Sequence, residues 1–333
     1  MILFNPNDNF DRLLKSLDIV RPTVLTNEFL NEVAKHCIDL VSHTNNLPPT
    51  PIFEKHPYLP DDEAIDQPVV MIGTFPPISY LKDIIPTLPI KGPMIPTFHG
   101  NKGFLLSYLF GDSIFDFEYR EAAKIRIHEE FIRKRIHYSD IIKFCQRQDG
   151  KYSSRDTSLC NIVLNTAVIE QIFSKPKVTT VYFTNSAFFS KAGIRFTFDR
   201  KVNIQNRDAF SLFLSGLQEM NFKVMLNIPE TPNWYDLSTD HMQINEHFKG
   251  RITVNAKISK EGKEKALRFV SCLSPAAAKR GSVRANPCVQ LFARQQNIPL
   301  KLAPKELLRS TLQHLTFSGS GRLAQLGDDK FSN

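Results

Sequence analysis

The sequence predicts an α/β protein: a three-layer αβα sandwich around a central, mostly parallel four-stranded sheet, with helical extensions at both ends. Three observations lead there. Apolar runs of strand length at 68–72, 178–183, 222–228 and 266–272 alternate with helical patterns, in the order β-α-β-α-β-α-β. That order argues for parallel strands covered by helices on both faces. The first run breaks abruptly at Gly73-Thr74-Phe75-Pro76-Pro77 and the last near Leu273-Ser274-Pro275. Such breaks set residues at the carboxyl edge of a sheet, where open α/β proteins bind ligands.

From the N-terminus, residues 1–45 are helical. Phe10, Leu13, Leu14 and Leu17, then Phe29, Val33, Cys37 and Leu40, recur at three- and four-residue intervals. Thr26 or Asn27 suits the cap of the second helix, with Glu28 and Glu32 near its start. Residues 46–67 are proline-rich and form a linker or an extended wrap, so residues 1–66 are expected to be an N-terminal extension. The α/β domain spans 67–300. After its first strand comes a long proline-rich loop ending in Phe98-His99-Gly100-Asn101-Lys102-Gly103-Phe104; loops of that length are usually functional or disordered. A charged helix at 117–136 carries Arg120, Lys124, Arg126, Arg133, Lys134 and Arg135. The second strand ends at Thr184-Asn185-Ser186-Ala187, which has the composition of a helix cap. The third ends in Pro229-Glu230-Thr231-Pro232 and leads into an insertion containing Trp234-Tyr235. Beyond the fourth, Lys279, Arg280 and Arg284 precede helices near 285–296 and 304–315, and residues 301–333 form a C-terminal helix and a frayed tail.

Composition narrows the function. The net charge is +8, which favours a polyanionic partner, nucleic acid ahead of membrane. Five scattered cysteines without C-x₂-C spacing signal neither zinc nor an iron–sulfur cluster and fit a reducing compartment. No signal peptide and no membrane-length apolar run is read, so a soluble, cytoplasmic monomer is expected. Glycine-rich phosphate loops, H-E-x-x-H and G-x-S-x-G are all absent. What the strand ends offer is small residues, prolines, amides and aromatics. That set suits a flat heterocycle, with Phe75 or Phe104 stacking on it and an Asn amide reading its edge.

Four blocks carry a family resemblance. Gly73-Thr74-Phe75-Pro76-Pro77 followed by Phe98-His99-Gly100-Asn101 and Phe104 resembles G-S-F-P-G followed by Y-Y-G-H-P-x-N-x-F-W. Tyr138-Ser139-Asp140-Ile141-Ile142 with Cys145, Arg147, Ser154 and Asp156 resembles W-D-V-I…C-x-R…S-x-D. Val181 to Ala187 resembles F-N-G-x-x-A, and Val270 to Ala277 resembles L-P-S-T-S-P-A-N. These are blocks of the uracil-DNA glycosylase superfamily, nearest its hypoxanthine-DNA-glycosylase-like branch. They occur in the family's order over 69–278, and 1–66 and 285–333 have no counterpart.

The resemblance implies a monofunctional DNA glycosylase acting in base excision repair of DNA damage. Such an enzyme flips a damaged or modified base out of duplex or single-stranded DNA and hydrolyses its N-glycosidic bond, without metal or cofactor. By position, Asn101 is the catalytic polar residue that orients water, Phe75 and Phe104 hold the base, and Asn185 reads its edge. Thr74, Pro76, Ser274, Pro275, Lys279, Arg280 and Arg284 would contact the DNA backbone. Asp140 is read as structural, beneath the site. The chain departs from the family where Thr74 and Phe75 replace an acidic or amide side chain, and where Ala277 stands in place of the final Asn. Two other readings stay open: a catalytically degenerate nucleic-acid-binding relative, and a nucleoside or nucleotide hydrolase.

Overall fold

The computed structural model describes residues 2–3, 9–44, 53–57, 59, 64–76, 120–147, 158–184, 208–227, 252–271, 284 and 287–316. Its architecture is mixed α/β and uses two sheets. In chain order the elements are β1 (Ile2–Leu3), α1 (Asn9–Ser16), α2 (Asn27–Thr44), β2 (Phe53–Lys55), β3 (Val69–Gly73), α3 (Arg120–Arg133), β4 (Ile136–Asp140) and β5 (Ile142–Arg147). There follow β6 (Leu159–Leu164), α4 (Thr166–Ser174), β7 (Thr180–Phe183), α5 (Ala209–Glu219), β8 (Lys223–Asn227), β9 (Ile252–Lys260), β10 (Lys263–Ser271), α6 (Pro287–Gln295) and α7 (Ala303–Thr316).

The larger sheet has six strands in the order β4-β3-β7-β10-β9-β8. β4, β3, β7 and β10 are mutually parallel, whereas β9 and β8 continue the sheet as an antiparallel meander. Every residue of β3 and of β7 is buried, as parallel strands covered on both faces require. The β9–β10 hairpin turns on Glu261-Gly262, both at positive φ (51° and 78°). A two-residue turn of that geometry matches strand twist, and glycine adopts it without penalty.

Behind β7 lies a cluster of rings. The edges of Phe210, Phe213 and Phe269 meet Phe183 with centroids 5.0, 5.4 and 5.6 Å away. Edge-to-face pairs of this kind add to the area term of burial. α5 brings two of these rings and is buried from Ala209 through Leu217; Asp208 caps it by accepting from the Ser211 amide at 3.1 Å.

The smaller sheet is antiparallel, in the order β1-β6-β5-β2. Its core joins Phe10, Leu13 and Leu14 of α1 and Leu30, Val33 and Cys37 of α2 to Phe53, Phe144 and Val163. Burial pushes the Cys37 thiol up to about 11. β4 runs into β5 with only Ile141 between them, so the chain passes from the larger sheet to the smaller at a single bend. The Ile141 amide donates to the Gly73 carbonyl (3.0 Å) and the Ile142 amide to that of Thr74 (3.2 Å), so the chain stays tied to β3 while it changes sheets.

Several sequence expectations are corrected here. The sheet has six strands instead of four. Residues 223–227 form a strand but stand at the far edge, antiparallel to β9; Ile136–Asp140 takes the expected place in the parallel block. That strand carries His137, Tyr138, Ser139 and Asp140, so it lacks the apolar signature of its neighbours. The smaller sheet was not foreseen. Its edge strand β2 lies in the stretch expected to be a linker or an extended wrap, and pairs with β5 across the 66/67 boundary. α7 buries Leu307, Leu308 and Leu312 in the main core and so is an integral part of it. Among the described residues no helix is long and apolar enough to cross a membrane.

Candidate functional site

The parallel block is formed in the chain order β3, β4, β7, β10 but lies in space as β4-β3-β7-β10. The connections therefore diverge between β3 and β7. In open α/β sheets the crevice outside the carboxyl ends of the strands at such a switch point is the place for a ligand. Ile72 pairs with Phe183, and Phe183 with Ser271, so the three strands end level with one another. The Thr184 amide (3.0 Å) and hydroxyl (3.3 Å) both donate to the Ile72 carbonyl, extending the ladder one residue past β7.

A buried polar network underlies this edge. Asp140 closes β4 at 2% exposure, alongside Gly73 in the ladder. His56, just past β2, approaches from the other sheet, and its Nε2 lies 2.8 Å from Asp140 Oδ2. The Leu59 amide donates to His56 Nδ1 at 3.2 Å. With Nδ1 accepting, Nε2 is the ring nitrogen that donates to the carboxylate. The Tyr138 hydroxyl donates to the other carboxylate oxygen at 3.2 Å, and the Asn165 amide to the Asp140 carbonyl at 3.2 Å. Gly73 makes room for this arrangement. A Cβ there would overlap Asp140 Oδ1 and press on the Tyr138 hydroxyl.

Beside it lies an ion pair. Arg147 at the end of β5 grips Glu54 of β2 in a fork, Nε to Oε1 at 2.9 Å and Nη2 to Oε2 at 3.1 Å. Both side chains are almost fully buried. Arg147 Nη2 also donates to the Pro76 carbonyl at 3.2 Å, and its guanidinium lies 5.8 Å from the centroid of Phe75. His56 meets the same ring edge-on at 5.2 Å. A bulge aims this strand end. Asn161 of β6 sits at φ 46°, the register slips opposite Phe144 and Gln146, and its amide bonds Gln146 Oε1 at 2.5 Å. The turn 73–76 is thus fixed from below by side chains of both sheets.

Of the residues singled out from sequence, Thr74, Phe75, Pro76 and Arg284 are described. Arg284 is exposed. Phe75 is 7% exposed, and its ring is held by His56 and Arg147. Thr74 and Pro76 are buried as well, and their carbonyls accept from Ile142 and Arg147. Asn101, Phe104, Asn185, Ser274, Pro275, Lys279 and Arg280 lie outside the described residues. The strands that lead to Asn185 and to Ser274 end beside Gly73 at one edge, which brings the roots of those loops together.

Glu54 and His56 were missed as site residues. Their signal was faint, a short apolar–charged alternation in a stretch dominated by prolines. Among the described residues no group of three His, Cys, Asp or Glu side chains is placed to hold a metal ion. Compared with family models, curated proteins and solved structures, the chain matches none.

Proposed function

We propose that this protein is a DNA glycosylase that draws a damaged or modified base into the crevice at the β3/β7 switch point and hydrolyses its N-glycosidic bond. One observation carries the reading: the segments leaving Gly73, Phe183 and Ser271, which hold three of the four motif blocks, depart from neighbouring parallel strands at a single edge. The fourth block supplies Asp140 and Arg147, which secure the first turn from beneath.

In this reading the three-layer αβα sandwich is the rigid frame and the loops carry the chemistry. Asn101 orients water, Phe104 stacks on the extruded base, and Asn185 hydrogen-bonds its edge. Ser274, Pro275, Lys279, Arg280 and Arg284 press on the backbone and pair with phosphates. The first turn contributes its main chain, since its side chains are buried. Asp140 acts as a positioning residue: it holds Tyr138 and His56 under Gly73. The enzyme works as a cytoplasmic monomer without a cofactor.

End-labelled duplexes containing uracil, hypoxanthine or hydroxymethylcytosine, incubated with the protein and treated with alkali, test this directly. Strand cleavage at one lesion is expected, reduced about 100-fold by Asn101→Ala, the scale of losing one oriented polar group. Absence of cleavage with all three would defeat the proposal. The burial of Thr74, Phe75 and Pro76 favours one second reading, a nucleic-acid-binding relative without chemistry. That reading requires retained affinity for the same duplexes with no base released.

A further inference from the structure

The meander at the far side of the larger sheet presents one face to solvent. Strand alternation sorts its residues. Leu226, Ala256, Ile258, Leu267 and Phe269 face the core. On the other face Lys223, Met225, Asn255, Lys257, Glu264 and Ala266 are exposed, and Arg268 is half-buried. Met225, an apolar side chain, is 67% exposed there. β8 to β10, with the hairpin turn, hold six of the chain's cations and two carboxylates, so half of the net charge of +8 falls on 25 residues.

Register gives these charges a shape. Met225 pairs with Lys257, and Lys223 sits two residues back on β8, diagonal to Lys257. Ala266 pairs with Lys257, and Arg268 sits two residues on along β10, diagonal again. Lys223, Lys257 and Arg268 therefore form one line across three strands, with steps of about 7–8 Å. The line ends three residues before Ser271, where β10 reaches the carboxyl edge of the sheet. Each step covers roughly two nucleotides of axial rise along one strand of a duplex. Among the described residues the carboxylate against the line is Glu264, which bridges Lys257 with both side chains more than half exposed. Exposed pairs of this kind are weak and readily exchanged.

We infer that the open face of β8–β9–β10 is a second nucleic-acid contact, a phosphate track that carries duplex DNA flanking the site at the carboxyl edge. A line of cations on an open sheet face complements a regular polyanion, and it ends at half-buried Arg268, short of the carboxyl edge, where Val270 on the same face is buried. The inference rests on DNA being the partner, but base release plays no part in it.

The test compares unmodified duplexes of roughly 10 and 30 base pairs, too short and long enough respectively to reach the sheet face. Binding is measured across a salt series for the wild type, for Lys223→Gln/Lys257→Gln/Arg268→Gln, and for Glu264→Gln. A control removes the same charge from exposed positions elsewhere, Lys15→Gln/Lys35→Gln/Lys301→Gln. On the long duplex the triple variant is expected to reduce the log–log salt slope by about 2 to 3, near one for each phosphate that is no longer neutralised. Its short-duplex affinity should stay at the wild-type value, the control should keep both, and Glu264→Gln should tighten the long duplex alone. Thermal melts verify that each variant is folded. An unchanged slope, or equal weakening on both duplexes, overturns the track while leaving the glycosylase proposal standing. So does a wild-type dimer in sedimentation that the triple variant dissociates, since a second copy would then occupy the face. Long-duplex binding with this signature but no base release defeats only the glycosylase proposal. Failure of the wild type to bind either duplex defeats both.

Discussion

The two halves of the larger sheet solve the same problem differently. β3 and β7 are buried at every position, and their neighbours on either side are parallel. β8 and β9 alternate between core and water, and their neighbours are antiparallel. Parallel strands need crossover chain on both faces, whereas an antiparallel meander can leave one face wet. The closed half can therefore enclose charged groups and hold them in one geometry. The open half can display charge at little cost. The candidate site lies at the end of the first, and the proposed phosphate track lies on the second.

This contrast makes the effect of a substitution depend on the half it strikes. Arg147→Ala should be the most damaging, destabilising by about 3–5 kcal/mol in denaturant unfolding, because it strands a buried Glu54. Replacing Glu54 and Arg147 together with methionine should recover much of that loss. If Arg147→Ala unfolds at the wild-type midpoint, this ion pair of the smaller sheet does not brace the Pro76 turn at the end of the closed half. Gly73→Ala comes next, at about 1–3 kcal/mol, since the added Cβ displaces the Asp140 carboxylate from its bond to His56. The same variant should lose binding at the crevice while keeping the phosphate track.

Effects in the open half are smaller. Lys265, on the core-facing side of β10, donates to the Lys175 carbonyl, and burial lowers its pKa. The folded state then holds that proton less tightly than the unfolded chain, so stability rises as pH climbs toward 10.5. Lys265→Met should flatten that alkaline rise and add roughly a few tenths of a kcal/mol at pH 7, a modest figure because the group remains partly in water. An unaltered pH profile would show that its burial has no energetic weight. Met225→Thr, on the wet face, should shift stability by no more than about 0.5 kcal/mol. A larger loss would mean that the face is covered in solution.

What the sequence revealed follows the same division. The apolar runs of β3 and β7 were legible because burial on both faces leaves little room for polar residues. β4 was not legible as a strand, since His137, Tyr138, Ser139 and Asp140 serve the network and erase the apolar run. β9 carries a period-two alternation, ITVNAKISK, but lies within the stretch expected to be an insertion. The Gly73 turn was found from its abrupt break, yet the reason for its glycine was not. That reason is an aspartate 67 residues later in the chain, and the histidine holding the aspartate lies 84 residues before it. Local pattern carries no record of such pairings. The surroundings of Phe75 were hidden for a related cause: exposure at a turn depends on what packs beneath, and here that is Arg147 and His56 from the other sheet.

The passage of the chain from β4 to β5 through Ile141 has a mechanical consequence. The two cores are strung on one stretch of chain, β4 and β5, which bends at Ile141 and is held at the crossing by amide bonds to Gly73 and Thr74. A pull that separates the sheets must load those bonds along the strand, in shear, so they fail as a group instead of unzipping singly. Under force the protein should yield in one large step, with both cores lost together.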